Sequence, residues 1–210
     1  CLAVHTHPNN AAAYYPGAQT LAIKILIDPK DGAILGAQAV GAEGVDKRID
    51  VIATAMRAGL TATDLIDLEL AYAPPFGSAK DPINQLGYIA ENRMSGLSES
   101  ADWSEIEQLQ TSGWKLLDVR TREEFAEGSI PGATNVPVDE LRDHLDDLRG
   151  SDYLVYCAVG QRAHVATQLL KAHGISAKNL DGGWTTWRNT RTARSLRDVP
   201  KKQLVGAALS

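Results

Sequence analysis

Apolar positions follow two rhythms along the chain, and the change between them divides it. Residues 1–7 and 20–27 read as strands, the second apolar and rich in β-branched residues, and Ile34 to Val40 as a third. Asp28-Pro29-Lys30-Asp31-Gly32 lies between the last two; proline sets φ and glycine is free to turn, so 20–40 is a predicted hairpin. Ile49, Ile52, Ala53, Met56 and Leu60 recur at helical spacing, which predicts a helix over Val45 to Ala58 with Gly59 ending it. Thr61, with Asp64 three residues on, starts a further short helix. Ala73 to Gly77, with two prolines, is a rigid loop, and Asp81 caps a helix that begins at Pro82 and runs toward Met94.

Beyond a linker at 95–100 the pattern changes to strand and helix in alternation. Strands are predicted at Trp114 to Val119, Ala133 to Val136, Tyr153 to Tyr156 and Ala177 to Leu180. Helices are predicted at Ser104 to Gln110, Arg122 to Ala126, Val138 to Leu148, Ala163 to His173 and Trp184 to Arg188. Such alternation implies a mostly parallel sheet with helices on both faces. The fold class is therefore α/β in two domains: an α+β unit with an antiparallel sheet over 1–97, and an α/β unit over 98–190. Residues 191–210 read as a loosely ordered tail with five basic residues and one acidic.

Composition narrows the classes. The 210 residues are 44% apolar and 22% charged, ordinary for a globular protein, and the net charge of −5 argues against general nucleic-acid binding. No apolar run approaches the ~20 residues of a membrane span, and no basic, secretory-type leader is visible. Two cysteines, Cys1 and Cys157, cannot form a disulfide framework, which makes a cytoplasmic setting the expectation. The chain opens on Cys1 with Leu2-Ala3-Val4 already strand-like, so it is expected to be part of something longer.

One place carries candidate chemistry on a named atom. The run Tyr153 to Tyr156 delivers Cys157 into Ala158, Val159, Gly160, Gln161 and Arg162, and a helical stretch follows. Backbone N–H groups of such a loop and the positive end of the next helix point at the sulfur and favour an anion there. Cys1 has no such surroundings. His144, His164 and His173 read as surface or helix-end residues, His5 and His7 as polar cover for an edge strand, and no residue set has metal-ligand spacing.

Several segments of residues 102–188 resemble a rhodanese (sulfurtransferase) domain. They are Leu117 to Arg120 with Glu123 to Phe125, Gly128 to Ala133, Asn135 to Pro137, the loop from Cys157 to Arg162, and Leu180 to Trp184. The family often has His where Ser129 stands. The resemblance implies that Cys157 accepts sulfur from thiosulfate, a polysulfide or a persulfide, that residues 158–161 cradle the product, and that Arg162 adds charge. It implies that Asp118 and Arg120 support the site through a buried contact. Phosphatase relatives use a loop one residue longer, which favours sulfur over phosphate and leaves a phosphatase or arsenate reductase as a remote alternative. A non-catalytic dimerisation and sulfur-binding module is the other.

Residues 1–95 resemble the dimerisation domain of pyridine nucleotide-disulfide oxidoreductases, of the coenzyme A disulfide reductase and NADH-dependent persulfide or polysulfide reductase type. The carrying segments are Tyr14 to Ala18, Gly36 to Gly41, Lys47 to Asp50 and Ala71 to Pro82. The resemblance implies a homodimer through residues 1–97, in which Tyr14 and Tyr72 reach toward the partner's flavin-side cysteine, with Tyr15 as an alternative to Tyr14. FAD, NAD(P)H and coenzyme A are implied for a longer parent, whose flavin and NADH domains are missing. No G-x-G-x-x-G occurs, so no cofactor is expected to bind this chain alone. Coenzyme A thiols join the small sulfur compounds as expected partners.

Overall fold

The computed structural model describes residues 1–197. Strands β1 (Leu2–Thr6), β2 (Ala22–Ile27) and β3 (Ile34–Val40) form an antiparallel sheet in that order, with Val4 opposite Ile25 and Leu26 opposite Gly36. Alternation on β2 sends Ile23, Ile25 and Ile27 inward, where each fully buried side chain contributes roughly 1.5–3 kcal/mol. They meet Ile52 of helix α1 (Val45–Ala58) and Ile83, Leu86 and Ala90 of helix α2 (Pro82–Met94). Asp81 caps α2 by accepting the Ile83 N–H at 3.0 Å, and Gly59 ends α1 with φ of 76°. Thr61 and Asp64 exchange hydrogen bonds at the start of a 3-10 turn, Asp64–Asp67.

Arg48 on α1 is only 1% exposed. Its guanidinium donates to Asp81 Oδ2 at 3.1 Å and to the carbonyls of Asn10, Gly44 and Phe76 at 3.0, 3.3 and 3.4 Å. A further bond, Ala12 N–H to the Pro74 carbonyl at 3.0 Å, joins the two loops that carry Tyr14 and Tyr72.

The second sheet has five parallel strands in the order β4 (Ser100–Ala101), β8 (Ala177–Leu180), β7 (Tyr153–Tyr156), β5 (Lys115–Asp118), β6 (Ala133–Asn135). Around it pack α3 (Ile106–Thr111), α4 (Arg122–Ala126), α5 (Gln161–Ala172) and α6 (Gly183–Arg197). From β5 the chain moves outward to β6, and from β7 it moves the other way to β8. The order therefore reverses between β5 and β7, and a crevice outside their carboxyl ends is where α/β sheets bind ligands.

Four expectations need correction. Val138 to Leu148 is not a helix: its bonds run i to i−3, with one 3-10 turn at Leu141–His144. Leu141 and Leu148 are still buried, because apolar spacing of three or four suits either turn, while four aspartates in the segment are weak helix formers. The supposed linker ends in a strand, since Ser100 and Ala101 pair with β8. Helix α5 begins two residues early at Gln161, because Gly160 at φ of 103° turns the chain at once. Residues 191–197 continue α6; the rest of the expected tail lies outside the described residues.

Candidate active site at the carboxyl end of the parallel sheet

All four residues of β7 are buried, so the strand runs through the core and delivers Cys157 at the sheet's carboxyl edge, 1% exposed. The Gly160 N–H donates to Cys157 Sγ at 3.1 Å, and Gly160 is also the N-terminal cap of α5. Ala158, Val159 and Gly160 bridge strand and helix, and Gln161 and Arg162 form the helix's first turn. Asn179 of β8 steadies the loop by donating to the Gly160 carbonyl at 3.1 Å.

Arg162 is held rather than free. Its Nη1 and Nη2 donate to Glu124 Oε2 and Oε1 at 2.7 and 2.8 Å, a bidentate pair. That pair holds the Glu124 carboxyl down at about 2, chiefly through the Arg162 hydrogen bonds. Arg162 in turn lies above its ordinary value, raised first by Glu124 and then by the nearby Cys157 sulfur. Glu124 sits there because Thr121 and Glu124 form a capping box at the start of α4.

Asp118 and Arg120 lie at the end of β5, beside Cys157's strand. Arg120 Nη2 donates to Asp118 Oδ2 at 2.6 Å and to the Gly128 carbonyl at 2.7 Å. Burial works against the Arg120 charge, but its bonds to Asp118 keep its pKa above the ordinary value. Tyr156 packs under the same guanidinium, and burial pushes its phenol up. The expected buried Asp118–Arg120 contact is present.

Tyr14 and Tyr72 are 78% and 51% exposed on the first half. They lie side by side: the Tyr14 hydroxyl is the first cause raising the Tyr72 phenol above its ordinary value. His5 and His7 are not strand cover. They are half-buried against the second half, on Asp181 and Thr186, because β1 faces that domain instead of solvent. His164 likewise meets Ser98 Oγ at 3.1 Å. Among the described residues no three His, Cys, Asp or Glu side chains gather as a metal site, and no helix is long and apolar enough to cross a membrane.

Glu124, Asn179 and the Gly182-Gly183 pair were not singled out from sequence as parts of the site. Thr121-x-x-Glu124 was a readable capping signal, but its link to Arg162 spans 38 residues.

Residues 102–190 match the rhodanese-like domain family, and residues 2–82 match the pyridine nucleotide-disulphide oxidoreductase dimerisation domain. A coenzyme A disulfide reductase of Staphylococcus aureus (strain bovine RF122 / ET3-1) is 50% identical over 80 residues, 38% of this chain and 18% of that protein. The fold superposes on reduced Bacillus anthracis CoADR-RHD with a TM-score of 0.86 and 45% identity, over 89% of this chain and 34% of that one. An NAD-dependent persulfide reductase from A. fulgidus gives 0.80 and 36% over the same shares. The chain thus spans about a fifth of the curated relative and a third of the solved ones. Residues 2–82 carry the pyridine nucleotide-disulphide oxidoreductase dimerisation match and residues 102–190 the rhodanese-like match, and both solved structures align across 89% of the chain.

Proposed function

We propose that Cys157 carries sulfane sulfur as a persulfide. The observation that carries this reading is the Gly160 N–H aimed at the Cys157 sulfur at 3.1 Å where α5 begins, with Arg162 in the first turn of the same helix. The Cys157 thiolate attacks the outer sulfur of thiosulfate; the new S–S bond forms as the old one breaks, and sulfite leaves with the electron pair. A thiol or cyanide then takes the outer sulfur and returns the thiolate. Ala158, Val159, Gly160 and Gln161 form the cradle, Arg162 supplies positive charge, and Asp118 with Arg120 supports the neighbouring strand end. The units are 1–97 and 98–190. A free reactive thiol suits a cytoplasmic setting.

The first unit forms a homodimer and presents Tyr14 and Tyr72 to the partner's redox cysteine, where a phenol donates to a leaving thiolate. Their exposure, with Phe76, Val40 and Leu35, supports an uncovered face. The short β7–α5 loop does not fit the pyrophosphate of FAD or NAD(P)H, because its Gly160 N–H is already engaged by the Cys157 sulfur at 3.1 Å. These cofactors belong to other domains of a parent coenzyme A disulfide, persulfide or polysulfide reductase, with coenzyme A as mobile thiol. Thiosulfate–cyanide turnover tests the reading: thiocyanate release that Cys157→Ala abolishes is expected, and turnover surviving that substitution rejects it.

A further inference from the structure

The end of the first strand grips the second half of the molecule at a particular turn. His5 Nδ1 donates to Asp181 Oδ2 at 2.6 Å, and the His5 N–H to Asp181 Oδ1 at 3.3 Å. Arg93 of α2 approaches the same Oδ2 at 3.4 Å. Two residues on, His7 Nε2 lies 2.7 Å from Thr186 Oγ1. Asp181 lies just ahead of α6 and Thr186 in its first turn, and the residues between them hold the sulfur loop. The Trp184 N–H donates to the Cys157 carbonyl and the Thr185 N–H to the Ala158 carbonyl, each at 2.9 Å.

Packing on both sides of this segment is close. A Cβ on Gly182 would meet Thr186 Oγ1 at 2.1 Å and His5 Cβ at 3.1 Å. One on Gly183 would meet the Cys157 carbonyl at 2.5 Å. The two glycines, at φ of 67° and 57°, therefore bring β1 and the Cys157 loop onto opposite sides of a single turn. A merely adhesive contact between domains has no reason to fall on both ends of the segment that holds the nucleophile.

We infer that His5, His7 and Arg93 are positioning residues for the Cys157 loop: they fix the Asp181–Thr186 segment, and through the Trp184 and Thr185 amides they fix where Cys157 and Ala158 sit. The inference rests on the persulfide reading of Cys157. It ties the sulfur-carrying loop to the dimerisation half of the same chain.

The clamp is also sensitive to pH. His7 faces His5 on its own strand, Asp181 after β8, Thr186 on α6 and Arg93 on α2, and shares its cleft with His164 of α5 and Lys80 ahead of α2. Burial first, and His5 second, hold His7 below its ordinary 6.5, against the pull of Asp181. An undocked His7 thus binds the proton more readily than a docked one. The His7 part of the clamp is therefore favoured above pH 6.5 and weakens as pH falls below it.

The test uses the full chain, thiosulfate–cyanide kinetics at pH 8 and pH 6, and hydrogen exchange at the Trp184 and Thr185 amides. Loss of both bonds in His5→Ala/His7→Ala lowers kcat by roughly tenfold at pH 8 with KM for thiosulfate little changed, and Thr186→Val alone by roughly threefold. Both variants exchange the two amides faster. His7→Gln, which keeps a hydrogen-bonding group without the titration, recovers most of the rate and flattens the acid-side decline. Should the double variant fail to fold by circular dichroism, Thr186→Val and His7→Gln decide. Wild-type kcat, pH profile and exchange in these variants would overturn the clamp. An inactive wild type rejects the persulfide reading instead, and the exchange data still judge the clamp.

Discussion

The two halves of this chain present their chemistry in opposite ways. In the antiparallel half the polar core is an ion pair, Arg48–Asp81, that joins loops, while Tyr14 and Tyr72 stand exposed. In the parallel half Cys157 is buried and every group around it is already in place: the Gly160 N–H, the Glu124–Arg162 pair and the turn behind the loop. The difference teaches where each site is completed. A five-stranded parallel sheet with a reversal between β5 and β7 brings the groups of the candidate site together within one chain. The three-stranded sheet leaves its two phenols at the surface, Tyr14 78% and Tyr72 51% exposed.

Substitutions can break this contrast. The largest effect belongs to Cys157→Ala, which removes thiocyanate formation down to background while leaving the melting profile close to wild type. Next is Arg48→Met. It leaves the Asp81 carboxylate buried without its partner and destabilises the first half by about 3–5 kcal/mol, measured by urea unfolding, with turnover per folded molecule nearly unchanged. Gly183→Ala forces a side chain into left-handed backbone and against the Cys157 carbonyl. A stability loss of about 1–3 kcal/mol is expected, with a larger relative loss of turnover, since the displaced atom belongs to the nucleophile's own residue.

Smaller effects sharpen the comparison. The Glu124–Arg162 pair is about a third exposed, so Glu124→Gln lowers stability by less than about 1 kcal/mol at neutral pH. Because the folded carboxyl sits at about 2 and the unfolded one at 4.5, the wild-type advantage is full above pH 4.5 and disappears as pH falls toward 2. Denaturant melts of both proteins between pH 2 and 7 check this. Smallest is Tyr14→Phe, which returns the Tyr72 phenol toward 10 from above, read by NMR titration of the tyrosine ring carbons.

Much of the architecture was readable because single residues announce it. Asp81-Pro82, Gly59 and the Asp28–Gly32 turn mark element ends, and the unbroken apolar run Tyr153 to Tyr156 marks a central parallel strand. Val138 to Leu148 misled because burial at spacings of three and four does not distinguish a helix from successive 3-10 turns. Within the site, Cys157 and Arg162 were legible from local order along the chain. Glu124, Asn179 and the histidines of β1 were not, for their partners are 38, 19 and more than 170 residues away. His5 and His7 carry the plainest lesson: alternation on a strand says which side they share, but only the tertiary fold says that a second domain lies there.

The central claim, that Cys157 carries the sulfur, is tested most directly by peptide mass spectrometry of the thiosulfate-treated chain. The account predicts one added sulfur on the peptide containing Cys157, removed by cyanide with release of thiocyanate, and none on the exposed Cys1. An unmodified Cys157, with sulfur on Cys1 or on neither cysteine, would contradict it.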